Sequence, residues 1–106
     1  MNPLVHQHCQ TSAPLLSAAD IHTLSLLVPS WKTDAGALVR TFDFADYAAT
    51  MAFAGAIGWL AVRENHHPDL GIHFNRVVVH YCTHDAGGLT RNDFVCAAKL
   101  DLLYLL

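Results

Sequence analysis

Two adjacent histidines, His66 and His67, follow a long apolar run, and a third, His84, closes a stretch of alternating residues. Imidazole is the side chain that titrates nearest neutral pH, so groups of this kind can give and take protons without a covalent intermediate. Histidine is also the compositional outlier, with eight copies against six Lys and Arg together. The carbonyl end of a helix favours the imidazolium form, which suits His66 to proton donation. Adjacent side chains in an extended stretch point to opposite sides, so one of the pair can face a substrate while the other braces a wall. A lone histidine is more often a surface or hydrogen-bonded core residue than a catalyst, and the pair raises those odds only modestly. Nothing beyond composition singles out His6, His8, His22, His73 and His80.

Other chemistries lack their spacing. Zinc sites pair ligands as H-E-x-x-H or C-x-x-C, neither of which occurs, and neighbouring histidines chelate one ion poorly, so no metal is expected. There is no G-x-S-x-G, no phosphate-binding glycine loop and no dinucleotide fingerprint. The six basic residues are scattered and the net charge is −3, which argues against direct nucleic-acid binding.

The elements that must position these histidines are legible from periodicity. Residues 1–16 are polar, proline-punctuated and aperiodic, and are expected to form a flexible N-terminal arm; residues 17–106 are expected to form a single domain. Ser17 to Asp20 has capping-box form ahead of Ile21, Leu24 and Val28 at helical spacing, with Pro29 as the stop. A turn at Thr33–Gly36 precedes a period-two strand from about 37 to 43. Asp43 and Asp46 open a long helix that finishes near His66, because Pro68 biases His67 out of the helical region. Its sixteen uncharged residues, Tyr47 to Val62, fall short of a membrane span and suit close packing on a sheet. Residues 73–83 alternate as a strand, Gly87-Gly88 turns, and Thr90 to Asp93 repeats the capping box before a final helix with Phe94, Ala98 and Leu102 on one stripe. The expected fold is α+β, an antiparallel sheet with helices packed on one face in the order α-β-(β)-α-β-β-α.

Composition adds the setting. With 53% apolar and only 14% charged residues, the chain folds but has too few polar side chains to cover its surface, so a homo-oligomer is expected. Three cysteines, Cys9, Cys82 and Cys96, without C-x-x-C spacing, together with an N-terminus lacking a basic or long apolar segment, point to the cytoplasm.

The stretch from Glu64 to Phe94, ENHHPDLGIHFNRVVVHYCTHDAGGLTRNDF, closely resembles the signature of the pterin-4a-carbinolamine dehydratases. HHP follows the long helix, a strand ends in T-H, and G-L and an Asp open the last helix; the likeness extends from Ser17 to Leu103 and takes in Trp31 and the F-x-F-x-D-Y run at Phe42 to Tyr47. The resemblance implies a dehydratase that removes water from 4a-hydroxytetrahydropterin to give quinonoid dihydropterin, recycling the pterin of aromatic amino-acid hydroxylases. It implies a dimer or tetramer, with the pterin as substrate and no further cofactor. By position, the pterin pocket falls on Asn65, His66, His67, Cys82, Thr83 and His84, with His66 and His84 expected to transfer protons and His67 to orient the substrate. The chain departs from the family pattern at Asn65 and Val62, where relatives often carry acids; Glu64 can stand in for one of them, and Asp93, also part of the motif, is explained equally by helix capping. The alternative implied by the same resemblance is a non-catalytic interaction module, a dimerisation cofactor for a transcription factor using the face of the 47–62 helix.

Overall fold

The structure, a computed structural model, describes residues 2–106. Three helices, α1 (Ala18–Ser25), α2 (Tyr47–Glu64) and α3 (Arg91–Leu105), accompany four strands, β1 (Lys32–Asp34), β2 (Ala37–Asp43), β3 (Asp69–Ile72) and β4 (Arg76–Tyr81). The strands form one antiparallel sheet in the order β1-β2-β4-β3. This is the expected α+β architecture.

Alternation on the two central strands sets the core. Leu38 pairs with Tyr81 and Phe42 with Val77, and all four are buried on one face with Val79. Phe53, Ile57 and Leu60 of α2 and Phe94, Val95 and Leu100 of α3 belong to the same apolar cluster. Trp31 completes it, meeting Phe42 edge-on at 5.8 Å between ring centroids.

The helix starts follow their capping chemistry. Ser17 accepts from the Asp20 N–H, Asp46 from the Ala49 N–H, and Thr90 and Asp93 form the reciprocal capping box. α1 ends earlier than the proline suggests: from Leu26 to Val28 the N–H groups bond three residues back, in tighter turns that use up the chain before Pro29. The alternating stretch 73–83 is not one strand. His73 N–H bonds to the Arg76 carbonyl, so Phe74 and Asn75 are a turn between β3 and β4, and the pattern from 77 onward does not extend back through them. The β1–β2 turn places Ala35 and Gly36 at positive φ, the geometry of a two-residue hairpin whose twist matches its strands.

The segment ahead of Ser17 carries structure that its aperiodic sequence hides. Pro3–His6 forms a 3-10 turn, and Leu4 is fully buried in the main cluster. The Asn2 amide donates to the Leu27 carbonyl at 2.6 Å, tying the arm to the end of the first helical segment.

Candidate active site

The end of α2 delivers His66. Asn65 adopts the left-handed conformation, at φ 49° and ψ 43°, which Asn tolerates better than most residues. It thereby lets the Asn65 N–H reach Val62 and the His66 N–H reach the Ala61 carbonyl at 3.1 Å, the paired bonds of a Schellman stop. The chain reverses at once, and His66 turns inward and is 9% exposed, its ring stacked on that of Tyr81 at 5.8 Å and 7°.

Asp93, fully buried at the start of α3, fixes the imidazole. Its Oδ1 lies 2.6 Å from His66 Nε2. Its Oδ2 accepts from the Thr83 hydroxyl at 2.8 Å and the Thr90 N–H at 2.9 Å. A carboxylate only accepts, so Thr83 spends its one proton there, and Thr90 must donate to Thr83 across their 2.8 Å contact. The same logic makes His66 Nε2 the protonated nitrogen and leaves Nδ1, which makes no bond within the described residues, as the ring's open proton acceptor.

Thr83 reaches this network because the chain past β4 curls into a short 3-10 turn, His84–Ala86, closed by the Thr83–Gly88 bridge and by Gly87 at φ 78°. His66, Thr83, Asn65 and Glu64 line a cavity of about 480 Å³, within the usual size for a small-molecule site. Residues 9–13 of the arm line it as well.

Glu64, with a side chain 5% exposed, is held by three groups: the Cys9 N–H at 2.8 Å, His8 Nδ1 at 2.9 Å and Lys99 Nζ at 3.2 Å. Burial opposes its charge, but the Cys9, His8 and Lys99 bonds outweigh it and bring its pKa down to about 2. Beneath the arm, Cys9 and Cys96 lie 3.5 Å apart, and the bond to Cys9 together with burial pushes the Cys96 thiol up.

Of the residues expected at the site, Asn65, His66 and Thr83 are brought together on the cavity wall. His67 and His84 are exposed and stand outside that wall, although each directly follows a residue that belongs to it. Cys82 is half-buried just past the end of β4, its thiol pushed up by burial and by the charges of Asp93 and Asp69. Nothing in the sequence announces the contributions of Gln10 and Asn92, since neither an aperiodic arm nor the second residue of a helix gives a local signal. Among the described residues no group of three or more His, Cys, Asp and Glu is placed to hold a metal ion, and no helix is long and apolar enough to cross a membrane.

Comparison with known proteins bears on this arrangement. Residues 14–103 match the family described as pterin 4 alpha carbinolamine dehydratase. A protein of Xanthomonas euvesicatoria pv. vesicatoria, named "Putative pterin-4-alpha-carbinolamine dehydratase", is 53% identical over 96% of this chain and 91% of its own length. One of the same name from Xanthomonas campestris pv. campestris strain B100 is 50% identical over the same shares. The crystal structure of a transcriptional coactivator/pterin dehydratase from Brucella melitensis superposes with a TM-score of 0.80 at 25% identity, covering 84% of this chain and 97% of that one. With the family match spanning most of the chain, and the dyad of His66 and Asp93 lying inside the matched region, the protein belongs to the pterin 4 alpha carbinolamine dehydratase family.

Proposed function

We propose that the chain is a hydro-lyase that converts 4a-hydroxytetrahydropterin into quinonoid dihydropterin and so returns the pterin of an aromatic amino-acid hydroxylase for reduction. The observation that carries this reading is the buried His66–Asp93 pair facing a cavity of about 480 Å³. In the reaction the C4a–O bond breaks as the hydroxyl takes up a proton and leaves as water; the adjacent ring nitrogen gives up its proton, and its electron pair forms the C4a–N double bond. Nothing is oxidised or reduced. Two imidazoles suffice for the two proton transfers, and positioned groups of this kind contribute about 10² to 10⁴ in rate. His66 supplies one, its tautomer fixed by Asp93; His84, on the turn after Thr83, supplies the other, and His67 orients the substrate. Asn65 completes the pocket, and Cys82 precedes Thr83 in the chain just outside its wall.

The same reading includes self-association. Tyr47, Met51, Trp59 and Val62 of α2 are exposed, as are Ile72 and Phe74 at the tip of the β3–β4 hairpin, more apolar surface than so small a body usually leaves to water. A homodimer or homotetramer covers it, and three free thiols suit a reducing compartment such as the cytoplasm.

The deciding experiment adds purified protein to enzymatically generated 4a-hydroxytetrahydropterin and follows quinonoid dihydropterin by absorbance. Acceleration over the spontaneous reaction is expected. Appearance of product at the spontaneous rate would overturn the reading and favour the interaction module, which the word coactivator in the name of the Brucella protein keeps in view.

A further inference from the structure

The family match begins at residue 14, so residues 10–13 lie just ahead of the matched region. Yet the arm is fastened across the cavity from both sides. Upstream, the Cys9 N–H donates to Glu64 Oε1 at 2.8 Å, and Asn92 clamps Gln10 twice: its Oδ1 accepts the Gln10 N–H at 2.8 Å and its Nδ2 donates to the Gln10 carbonyl at 2.9 Å. Downstream, the Leu16 N–H donates to the Leu89 carbonyl at 2.9 Å. Glu64 and Asn92 are both buried polar side chains; Asn92 gives both ends of its amide to main-chain groups of the arm, and Glu64 gives one oxygen to the Cys9 N–H and the other to the side chains of His8 and Lys99. Burial of such groups is costly unless they are bonded, so the fold commits two of them to holding this one segment in place.

Between the anchors, residues 10–13 form one wall of the cavity. The N–H groups and the hydroxyls of Thr11 and Ser12 make no hydrogen bond within the described residues. They amount to a row of uncommitted donors and acceptors on the same cavity as His66 and Thr83. A pterin presents a matching row on its pyrimidine ring, where amide and amino groups lie away from the carbon and nitrogen that react.

Resting on the dehydratase reading, we propose that residues 10–13 are the substrate-binding wall that recognises the non-reacting polar groups of the pterin, with Asn92 and Glu64 as the positioning residues that hold it. Contacts made equally in the ground and transition states act on KM and leave kcat in place, and the proposed contacts of this wall are of that kind.

The test uses two full-length variants. Asn92→Ala removes the clamp, and the double change Thr11→Val with Ser12→Ala removes the two exposed hydroxyls without touching the core. Each is assayed for kcat and KM, and for the Kd of 7,8-dihydropterin, a stable pterin without the 4a-hydroxyl, by fluorescence. KM and Kd are expected to rise together, by about tenfold for Asn92→Ala and several-fold for the double variant, with kcat held within about twofold. Unchanged KM and Kd in the double variant, or a fall in kcat alone, would overturn the proposal; the double variant decides by itself if Asn92→Ala does not fold. Should the unaltered chain neither bind dihydropterin nor dehydrate, the dehydratase reading fails and takes the wall with it. If it does both and the variants match it, the wall alone is wrong.

Discussion

One carboxylate of Asp93 caps α3 and holds His66: Oδ2 accepts the Thr90 N–H at 2.9 Å while Oδ1 lies 2.6 Å from His66 Nε2. The two duties separate under substitution. Asp93→Asn with its one oxygen kept on the Thr90 N–H and the Thr83 hydroxyl preserves the cap but turns its N–H₂ toward His66 Nε2, so the imidazole is driven to the other tautomer. Activity is expected to fall by about 10² or more, while chemical denaturation shows a loss near that of a weakened cap, about 1 kcal/mol. Equal activity in Asp93→Asn would mean that the tautomer of His66 is irrelevant to the chemistry.

What was legible in the sequence is what is encoded locally. Asp46 and Thr90 announce their helices by capping chemistry, and Ala37–Asp43 announces itself by alternation, because each signal lies within a few residues of its effect. Asp93 is legible as a cap and as part of the motif, not as the partner of His66; that bond spans 27 residues and exists only once α2 and α3 have packed. The arm was unreadable for a similar reason. Leu4 carries no periodic partner, and Cys9 and Gln10 are ordered by Glu64 and Asn92, whose types give no sign of what they will hold. His67 and His84 were singled out by spacing, and spacing cannot say on which side of a wall a side chain ends.

Glu64 makes stability depend on acid. Its pKa is about 2 in the folded chain against an ordinary 4.5, so the folded state favours the charged form. That stabilisation is complete above about pH 4.5 and disappears as pH falls through about 2. Glu64→Gln is expected to lower the unfolding midpoint at neutral pH, and to show a shallower loss than the unaltered chain on acidification between those values. Parallel pH profiles for the two proteins would show that Glu64 is not the group responsible.

Leu4 tests whether the arm belongs to the folding unit. It is fully buried among core residues although it lies only three residues from the chain start. Truncating a buried leucine costs about 2 to 5 kcal/mol, so Leu4→Ala should shift the urea midpoint of the whole domain in a single transition. A separate early transition, or none, would show the arm to be only loosely attached.

Trp59 lies 60% exposed on α2, with Arg63 stacked over its ring at 5.1 Å. A charge there opposes burial in any interface but leaves the subunit's core alone, since the side chain faces outward. Trp59→Glu is therefore expected to retain its circular dichroism and to sediment as a smaller species than the unaltered protein at micromolar concentration. A stable monomer in the unaltered chain would remove the basis for self-association.

The division of labour among the histidines remains the sharpest kinetic question. A group that transfers a proton acts mainly in the transition state, so His66→Ala and His84→Ala should each lower kcat with little change in KM, and each should remove a limb from the pH profile of kcat/KM. His67 follows His66 on the exposed side, and an orienting group there binds ground and transition states alike, so His67→Ala should raise KM more than it lowers kcat. Because the carbinolamine also loses water spontaneously, the double change of His66 and His84 should cost less than the product of the single ones. His66, bonded to Asp93 and buried, should show the larger single effect; His84 is exposed and can be replaced in part by solvent. If kcat survives both single changes, the proton transfers belong to another group, and Glu64 on the same wall is the first to substitute.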